Sequence, residues 1–308
     1  MTGWRSTVAT LGVAALVAVP TTSAAARAAG PDVAPSTRAN TLTAMHGEAY
    51  AYAIYTAYAG QAARTGKPRV AHLFTRTAGV ELREHFAGEA ELIGLVHGDA
   101  ANLRDAIDGE TYEHTTMYPQ YAKQAIADRC TAAADLFTEI AADEGGHAAA
   151  FTTALRALTD RTVSVPAPPA VDPVEIIAST PACTGRTLDN LEAAMHGEAF
   201  AYAKYSLYAA HARRSGRPAL AALFGGTAQV ELREHFAGEA MLAGVVGGNA
   251  ANLRHAITGE TFEAKTMYPD FAAQAAAAGD RRAARLFRRI GHQEWGHAHR
   301  FTAALHTL

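Results

Sequence analysis

Cysteine is nearly absent from this chain: Cys130 and Cys183 are the only two among 308 residues. A small disulfide-stapled scaffold is therefore excluded, and so is any site built from four thiolates. Positive charge is not in surplus either, with 27 lysines and arginines against 30 aspartates and glutamates and a formal net charge of −3. No nucleic-acid partner is expected, because gripping phosphates requires a basic excess. β-Branched runs are rare, which argues against strands. The apolar stretch near the N-terminus, residues 8–19, is shorter than the roughly 20 residues that cross a bilayer. What the chain does have is apolar material, 49% of all residues, and 14 histidines. The first supplies a sizeable core; the second matters through position.

The N-terminus begins with a positive start (the amine and Arg5), continues through that apolar stretch and ends in small residues, with Ser23 and Ala25 in a −3/−1 relation. This order reads as a secretory signal peptide over residues 1–29, and places the mature protein outside the cell or in the cell envelope.

A shift of 150 residues superimposes two halves of the chain. Residues 78–90 read AGVELREHFAGEA and residues 228–240 read AQVELREHFAGEA, one difference in thirteen. MHGEA starts at Met45 and again at Met195, and TMYP at Thr116 and Thr266. Residues 159–186 between the copies hold five prolines and no sustained helical period, as a linker does. Two domains are thus expected, at 40–158 and 187–308, each of about 120 residues.

Both copies read as helix throughout. Alanine and leucine abound, and apolar residues recur at steps of three and four. Four segments fall near 40–65, 67–97, 101–128 and 131–158, and Pro119 should kink or restart the third because it lacks an N–H. Four helices of this length make a bundle, so the expected fold is all-α, with two bundles in tandem.

The inward stripes carry the chemistry. The first helix gives Met45, Glu48, Tyr52, Tyr55 and Ala59; the second Phe74, Ala78, Glu81, His85, Gly88 and Leu92. The third gives Leu103, Ile107, Glu110, Met117 and Tyr121, with Glu113 beside Glu110; the fourth Phe137, Ile140, Glu144, His147, Phe151 and Ala154. The second copy repeats the polar members as Glu198, Glu231, His235, Glu260, Glu263, Glu294 and His297. An isolated buried ion costs several kcal/mol, and here five acids share one core. For a single glutamate, rotation toward solvent or pairing with arginine explains the position well enough. For all seven positions, present twice, divalent cations are the better compensation, and carboxylate with imidazole suits iron or manganese. The pattern matches ferritin-like di-metal bundles, with single glutamates on two helices and a Glu–His pair on each of the others.

With these residues in hand, the sequence resembles the rubrerythrin family over both copies. GEAYAYAIYTAYA from Gly47, GETYEHTTMYP from Gly109 and DEGGHAAAF from Asp143 carry the resemblance, with GEAFAYAKYSLYA, GETFEAKTMYP and QEWGHAHRF in the second copy. It implies two tandem ferritin-like four-helix bundles, with one di-iron site per domain. Glu48, Glu110, Glu113, Glu144 and His147 fall on the family's ligand positions, and Tyr55, Tyr118, Tyr205 and Tyr268 where the family has tyrosines beside the metals. A plain core role is the alternative for Tyr55 and Tyr118. The second helix departs from the usual Glu-x-x-His, reading Glu81-Leu-Arg-Glu84-His85. Glu81 lies on the inward stripe and is chosen as ligand, Glu84 is held in reserve, and a π-bulge would bear on the choice.

The implied activity is reduction of hydrogen peroxide at carboxylate-bridged irons, with manganese as an alternative metal and oxygen as an alternative oxidant. Four cysteines of a rubredoxin module are missing, so electrons must come from an external donor. The competing function is an iron-oxidising or metal-sequestering protein without peroxidase turnover, and a third is a helical module with an emptied site. The two domains are expected to pack as an internal pseudo-dimer. Cys130 lies in the turn before the fourth helix and Cys183 in the linker; a disulfide between them suits an exported protein, and free or intermolecular thiols are the alternative.

Overall fold

A computed structural model describes residues 33–308; the segment expected to be a signal peptide lies outside the described residues. Each repeat contributes four long helices. In the first these are α1 (Pro35–Arg64), α2 (68–93), α3 (99–127) and α4 (Thr131–Ala157). In the second they are α5 (Arg186–Arg214), α6 (218–243), α7 (249–277) and α8 (Arg281–His306). No strand occurs among the described residues, and none of their helices is long and apolar enough to cross a membrane. The fold is all-α, as the apolar period implies.

The breaks follow local chemistry. Pro68 and Pro218 sit in the first turns of α2 and α6, where a missing N–H costs nothing. Gly94 closes α2 in the left-handed conformation, and Leu95 N–H then reaches back to Ala90 O at 2.9 Å. Pro119 does not break α3. A π-helical turn, Glu113–Met117, precedes it and absorbs the backbone mismatch that its ring and absent N–H would create. The same wide turn occurs at Glu81–Phe86, Glu231–His235 and Glu263–Met267.

The helices of one repeat do not close a bundle by themselves. α1 pairs with α2 and α3 with α4, but α1 and α2 pack on α7 and α8, while α5 and α6 pack on α3 and α4. Phe301 of α8 lies 5.4 Å from Tyr55 and 4.9 Å from Phe74, ring centre to ring centre. Phe151 of α4 meets Tyr205 and Phe224 in the same way, at 5.5 and 5.0 Å. All six rings are buried, and loss of a buried phenylalanine costs about 3–5 kcal/mol. The exchange between repeats is therefore held by the core itself.

α1 and α5 run against each other between the two bundles. His46 stacks on Phe200 and Tyr50 on His196, both at 4.1 Å, and these are equivalent positions read in both directions. Tyr52 and Tyr202 stack on one another and share a 3.0 Å hydrogen bond between hydroxyls. Such reciprocal contacts are the mark of an isologous interface.

The linker crosses the second repeat. Val174 N–H donates to Arg233 O inside the π turn of α6, and Ala182 N–H to Leu242 O, each at 2.8 Å. Cys183 is bonded to Cys130, and Asp128 beside that bond accepts from the N–H and hydroxyl of Thr187 at the start of α5. Opening the disulfide by Cys130→Ser with Cys183→Ser should cost about 2–4 kcal/mol, because the cross-link spans 53 residues. Denaturant midpoints check this, and an unchanged midpoint would mean that Asp128 and its partners already fix the corner.

Candidate metal centres

Each bundle gathers its polar stripes into one buried cluster, and each cluster is drawn from both repeats. The first holds Glu48 of α1, Glu81 and His85 of α2, Glu260 of α7, and Glu294 and His297 of α8. The second holds Glu198 of α5, Glu231 and His235 of α6, Glu110 of α3, and Glu144 and His147 of α4. The expectation of one complete site within each repeat is corrected accordingly. The physical reason is that α1–α2 and α3–α4 of one repeat present their polar stripes to the other repeat's helices rather than to each other.

Two carboxylates lie at the middle of each cluster. Glu81 places one oxygen 2.7 Å from His85 Nδ1 and the other 3.0 Å from His297 Nδ1. Glu294 does the same at 2.7 and 2.8 Å. Glu48 Oε2 completes the His85 side at 3.4 Å and Glu260 Oε2 the His297 side at 3.2 Å. In the second cluster Glu231 and Glu144 take the central places, Glu198 stands beside His235 at 3.7 Å and Glu110 beside His147 at 3.3 Å. Each half thus offers three carboxylate oxygens and one imidazole nitrogen.

This donor set fits a pair of cations. Both oxygens of Glu81 and Glu231 and the ring nitrogens of His85 and His235 are buried within ion-pair distance of one another, yet none makes a hydrogen bond of good angle among the described residues. Convergent buried donors without hydrogen bonds are stable when a cation satisfies them. Oxygen with imidazole nitrogen suits iron or manganese. In the protein alone, burial and then Glu294 push the Glu48 carboxyl up to about 8. Burial likewise moves Glu198 to about 8. Burial alone would lower His297, but Glu81 and the hydrogen bonds it donates to Glu260 and Glu294 raise it to about 12.

The four tyrosines all reach terminal carboxylates. Tyr55 donates to Glu260 Oε1 at 2.7 Å, and Tyr205 donates to Glu110. Tyr268 donates to Glu48 and Tyr118 to Glu198, each from the other repeat. Every terminal carboxylate therefore has Oε1 tied to a phenol and Oε2 turned to the cluster. Glu113 and Glu263 are half-buried at the rim; Glu263 Oε1 approaches within 3.4 Å of where a side chain on Gly47 would begin.

The π turn sets which second-helix carboxylate faces the cluster. Its extra residue brings Glu81 and His85, four apart, onto one inner face, matching the three-residue spacing of Glu144 with His147 and of Glu294 with His297. Glu84 is exposed and pairs with Gln293 instead. The same turn moves the rest of the stripe by one position: Glu89 is fully buried where Gly88 was expected, and Glu239 repeats it. These two acids were missed because a strict helical period steps over them; the Glu-x-x-x-His spacing was the signal. Asp143, 3.5 Å from His235 Nε2, also lay outside the stripes.

The rubrerythrin family model matches residues 40–155 and 225–305, more than half of the chain. α5 with Glu198 falls outside these segments, yet Glu198 occupies the place equivalent to Glu48. Nigerythrin of Nitratidesulfovibrio vulgaris is 33% identical over 146 residues, covering 43% of this chain and 72% of that protein. Rubrerythrin of the same organism is 33% identical over 124 residues, or 36% of this chain and 64% of that one. Rubrerythrin of Porphyromonas gingivalis is 35% identical over 133 residues, with shares of 39% and 66%. The last two matches each span a little under two thirds of the relative. No solved structure matches the chain.

The exchange of helices has a direct test in metal content. Glu81→Ala with Glu294→Ala strikes one cluster twice and should leave about two metals per chain, whereas Glu81→Ala with Glu144→Ala strikes both and should leave about none. Self-contained repeats would give the opposite order. Metal affinity should also rise with pH and most steeply below about 8, where Glu48 and Glu198 still carry protons that a cation must displace. Proton release on loading in weak buffer at neutral pH checks this, and loading without release would mean that the carboxylates are already ionised.

Proposed function

Because the chain belongs to the rubrerythrin family, we propose that it is a di-iron oxidoreductase reducing hydrogen peroxide to water with electrons from an external donor. The observation that carries this reading is the central pair, Glu81 with Glu294 and Glu144 with Glu231, each carboxylate turned to both imidazoles of its cluster. That arrangement suits two metals side by side rather than one. Two irons held there would supply two electrons and Lewis acidity for cleaving an O–O bond.

The chain's own residues prepare that chemistry. Glu48, Glu260, Glu198 and Glu110 are held in one orientation by the tyrosine hydroxyls, so that a single oxygen of each faces the metal pair. Phe74 and Phe301 in one bundle, and Phe224 and Phe151 in the other, pack against Tyr55 and Tyr205 and keep water from that end. Glu113 and Glu263 stand half-buried at the rim as further carboxylates for a metal that changes charge. The reduction consumes two protons and two electrons per peroxide and yields two waters. The two repeats would act as an internal pseudo-dimer, supported by the reciprocal contacts of α1 and α5. An extracytoplasmic site of action is supported by the Cys130–Cys183 disulfide.

Anaerobic Fe(II) loading followed by elemental analysis should give about four irons per chain. Peroxide with an artificial reductant should then turn over many times, and Glu81→Ala with Glu231→Ala should abolish it. Consumption that stops after one oxidation of the bound iron would support stoichiometric iron oxidation instead. Retention of manganese over iron would move the reading to a di-manganese site.

A further inference from the structure

α8 carries a second stripe, on the side away from the cluster. Arg281, Arg285, Arg288, His292, Trp295 and His299 follow one another at steps of four and three, so they share one face, and all six are exposed. The face runs about 27 Å along the helix. Arg282 and Arg289 widen it on one flank, where Arg282 pairs with Glu91 of α2 at 2.6 Å. Arg285 and Arg288 make no ion pair among the described residues. Six arginines lie between positions 281 and 301, in a chain whose net charge is −3.

The fold does not require this charge. α4 is the equivalent helix and has the same inward residues, Phe137, Ile140, Glu144, His147 and Phe151 matching Phe287, Ile290, Glu294, His297 and Phe301. Its outer stripe reads Thr131, Asp135, Thr138, Ala142, Gly145 and Ala149, and no lysine or arginine occurs between 131 and 151. Neutral and acidic residues are thus enough to solvate this helix, and the basic face belongs to one bundle only.

Trp295 gives the stripe its place in the chemistry. It is 38% exposed and directly follows Glu294, whose oxygens lie 2.7 Å from His85 and 2.8 Å from His297. Lys265 Nζ stands 4.6 Å over the indole, and the His299 ring meets it edge-on at 4.5 Å. The counterpart in the other bundle is Gly145, and the space beside it is taken by the His114 ring, with Nδ1 2.6 Å from Ala141 O. One cluster of the two is therefore joined to a solvent-facing aromatic ring through a single peptide bond and a glutamate side chain.

We infer that the outer face of α8 is the docking site of an acidic one-electron carrier protein, with Trp295 as the point where electrons enter the centre that contains Glu294.

Charge and size both suit that occupant. A carrier must leave after each electron, so its contact is small and polar; weak electron-transfer encounters bury less than about 1,200 Å² and are steered by complementary charge. A permanent partner would need a larger and more apolar face. Each carrier is oxidised by one electron, two arrivals return an oxidised pair of irons to the ferrous state, and the indole ends unchanged. This deepens the oxidoreductase reading above and rests on it for the use of the electrons. The docking itself does not require peroxide to be reduced.

Calorimetric titration of the metal-loaded protein with an acidic plant-type [2Fe–2S] ferredoxin, and with an acidic flavodoxin, tests the docking. At least one should bind at low salt and lose affinity steeply as salt rises. Arg285→Glu with Arg288→Glu should weaken that binding tenfold or more. Arg104→Glu with Lys123→Glu on α3, exposed positions with the same change of net charge, should leave it within twofold. Unchanged melting temperatures show that both variants fold. Failure of both carriers to bind, or equal weakening by the two variants, overturns the docking site. Binding to phosphatidylserine vesicles through Arg285 and Arg288, with no carrier bound, also overturns it and makes the face a membrane contact. Entry is tested by rapid mixing of the reduced carrier with the oxidised, metal-loaded protein. At saturating carrier, Trp295→Leu should slow carrier oxidation by about tenfold or more, while peroxide turnover with a small artificial reductant stays unchanged. An unchanged rate of carrier oxidation overturns the entry point. Absence of peroxide turnover in the unsubstituted protein would instead strike the proposed function and leave salt-sensitive docking standing.

Discussion

Four carboxylates and two imidazoles at the middle of each bundle, all buried, set the terms for everything around them. Carboxylates this close together repel, and burial strips away the water that would screen them. The structure answers with several devices at once. Imidazoles stand between the carboxylates, a phenol holds the outer oxygen of every terminal glutamate, and aromatic rings close the space beyond. The remaining oxygens and nitrogens are left for cations. Side chains on four helices can meet at one depth only if the helices stay in register. The π turns achieve this on α2, α3, α6 and α7 at the level of the cluster itself.

Much of this was legible in the sequence, for a physical reason. A buried polar residue on an apolar stripe stands out against its surroundings, and the 150-residue repeat shows the stripe twice. Helix limits were visible because Gly66, Pro68 and Gly98 act locally. The exchange of helices was not visible. Both repeats carry nearly the same stripes, so a stripe on α2 is equally complementary to α4 and to α8. Only the three-dimensional path separates the two. Glu89 was lost for a different reason: a single π turn changes the period, and a regular period then lands on Gly88. Where a helix carries an inserted residue next to a ligand, positions beyond it should be read one place later.

Tandem fusion changes what the two centres can become. In a homodimer with the same exchange, any substitution alters both sites together, because symmetry copies it. Here the equivalent positions have separated. Asp143 stands behind His235 of the cluster, while Gln293, its counterpart, turns to Glu84. Lys204 lies 3.0 Å from Asp105, which also accepts from Tyr208, whereas the counterparts of these residues are Ile54, His255 and Tyr58. A carboxylate behind a ligating imidazole makes it a stronger donor to the metal, and a buried ammonium nearby favours the more negatively charged state of the cluster. The two act in opposite directions on the same centre.

The linker adds a third difference. It lies across α6 and donates into the π turn at Arg233, close to His235 of the cluster, so the backbone that carries this histidine is braced from outside. Its path is fixed further by the Cys130–Cys183 bond and by Gly244, where a side chain would collide with the backbone at Thr180 and Pro181. Because α6 of the second repeat faces α3 and α4 of the first, bracing one helix of the second repeat acts on a cluster to which Glu110, Glu144 and His147 of the first also belong. The segment that joins the repeats thus also supports a site to which both contribute. Exchange of helices and covalent linkage are parts of one arrangement, in which neither repeat has a complete centre to lose on its own.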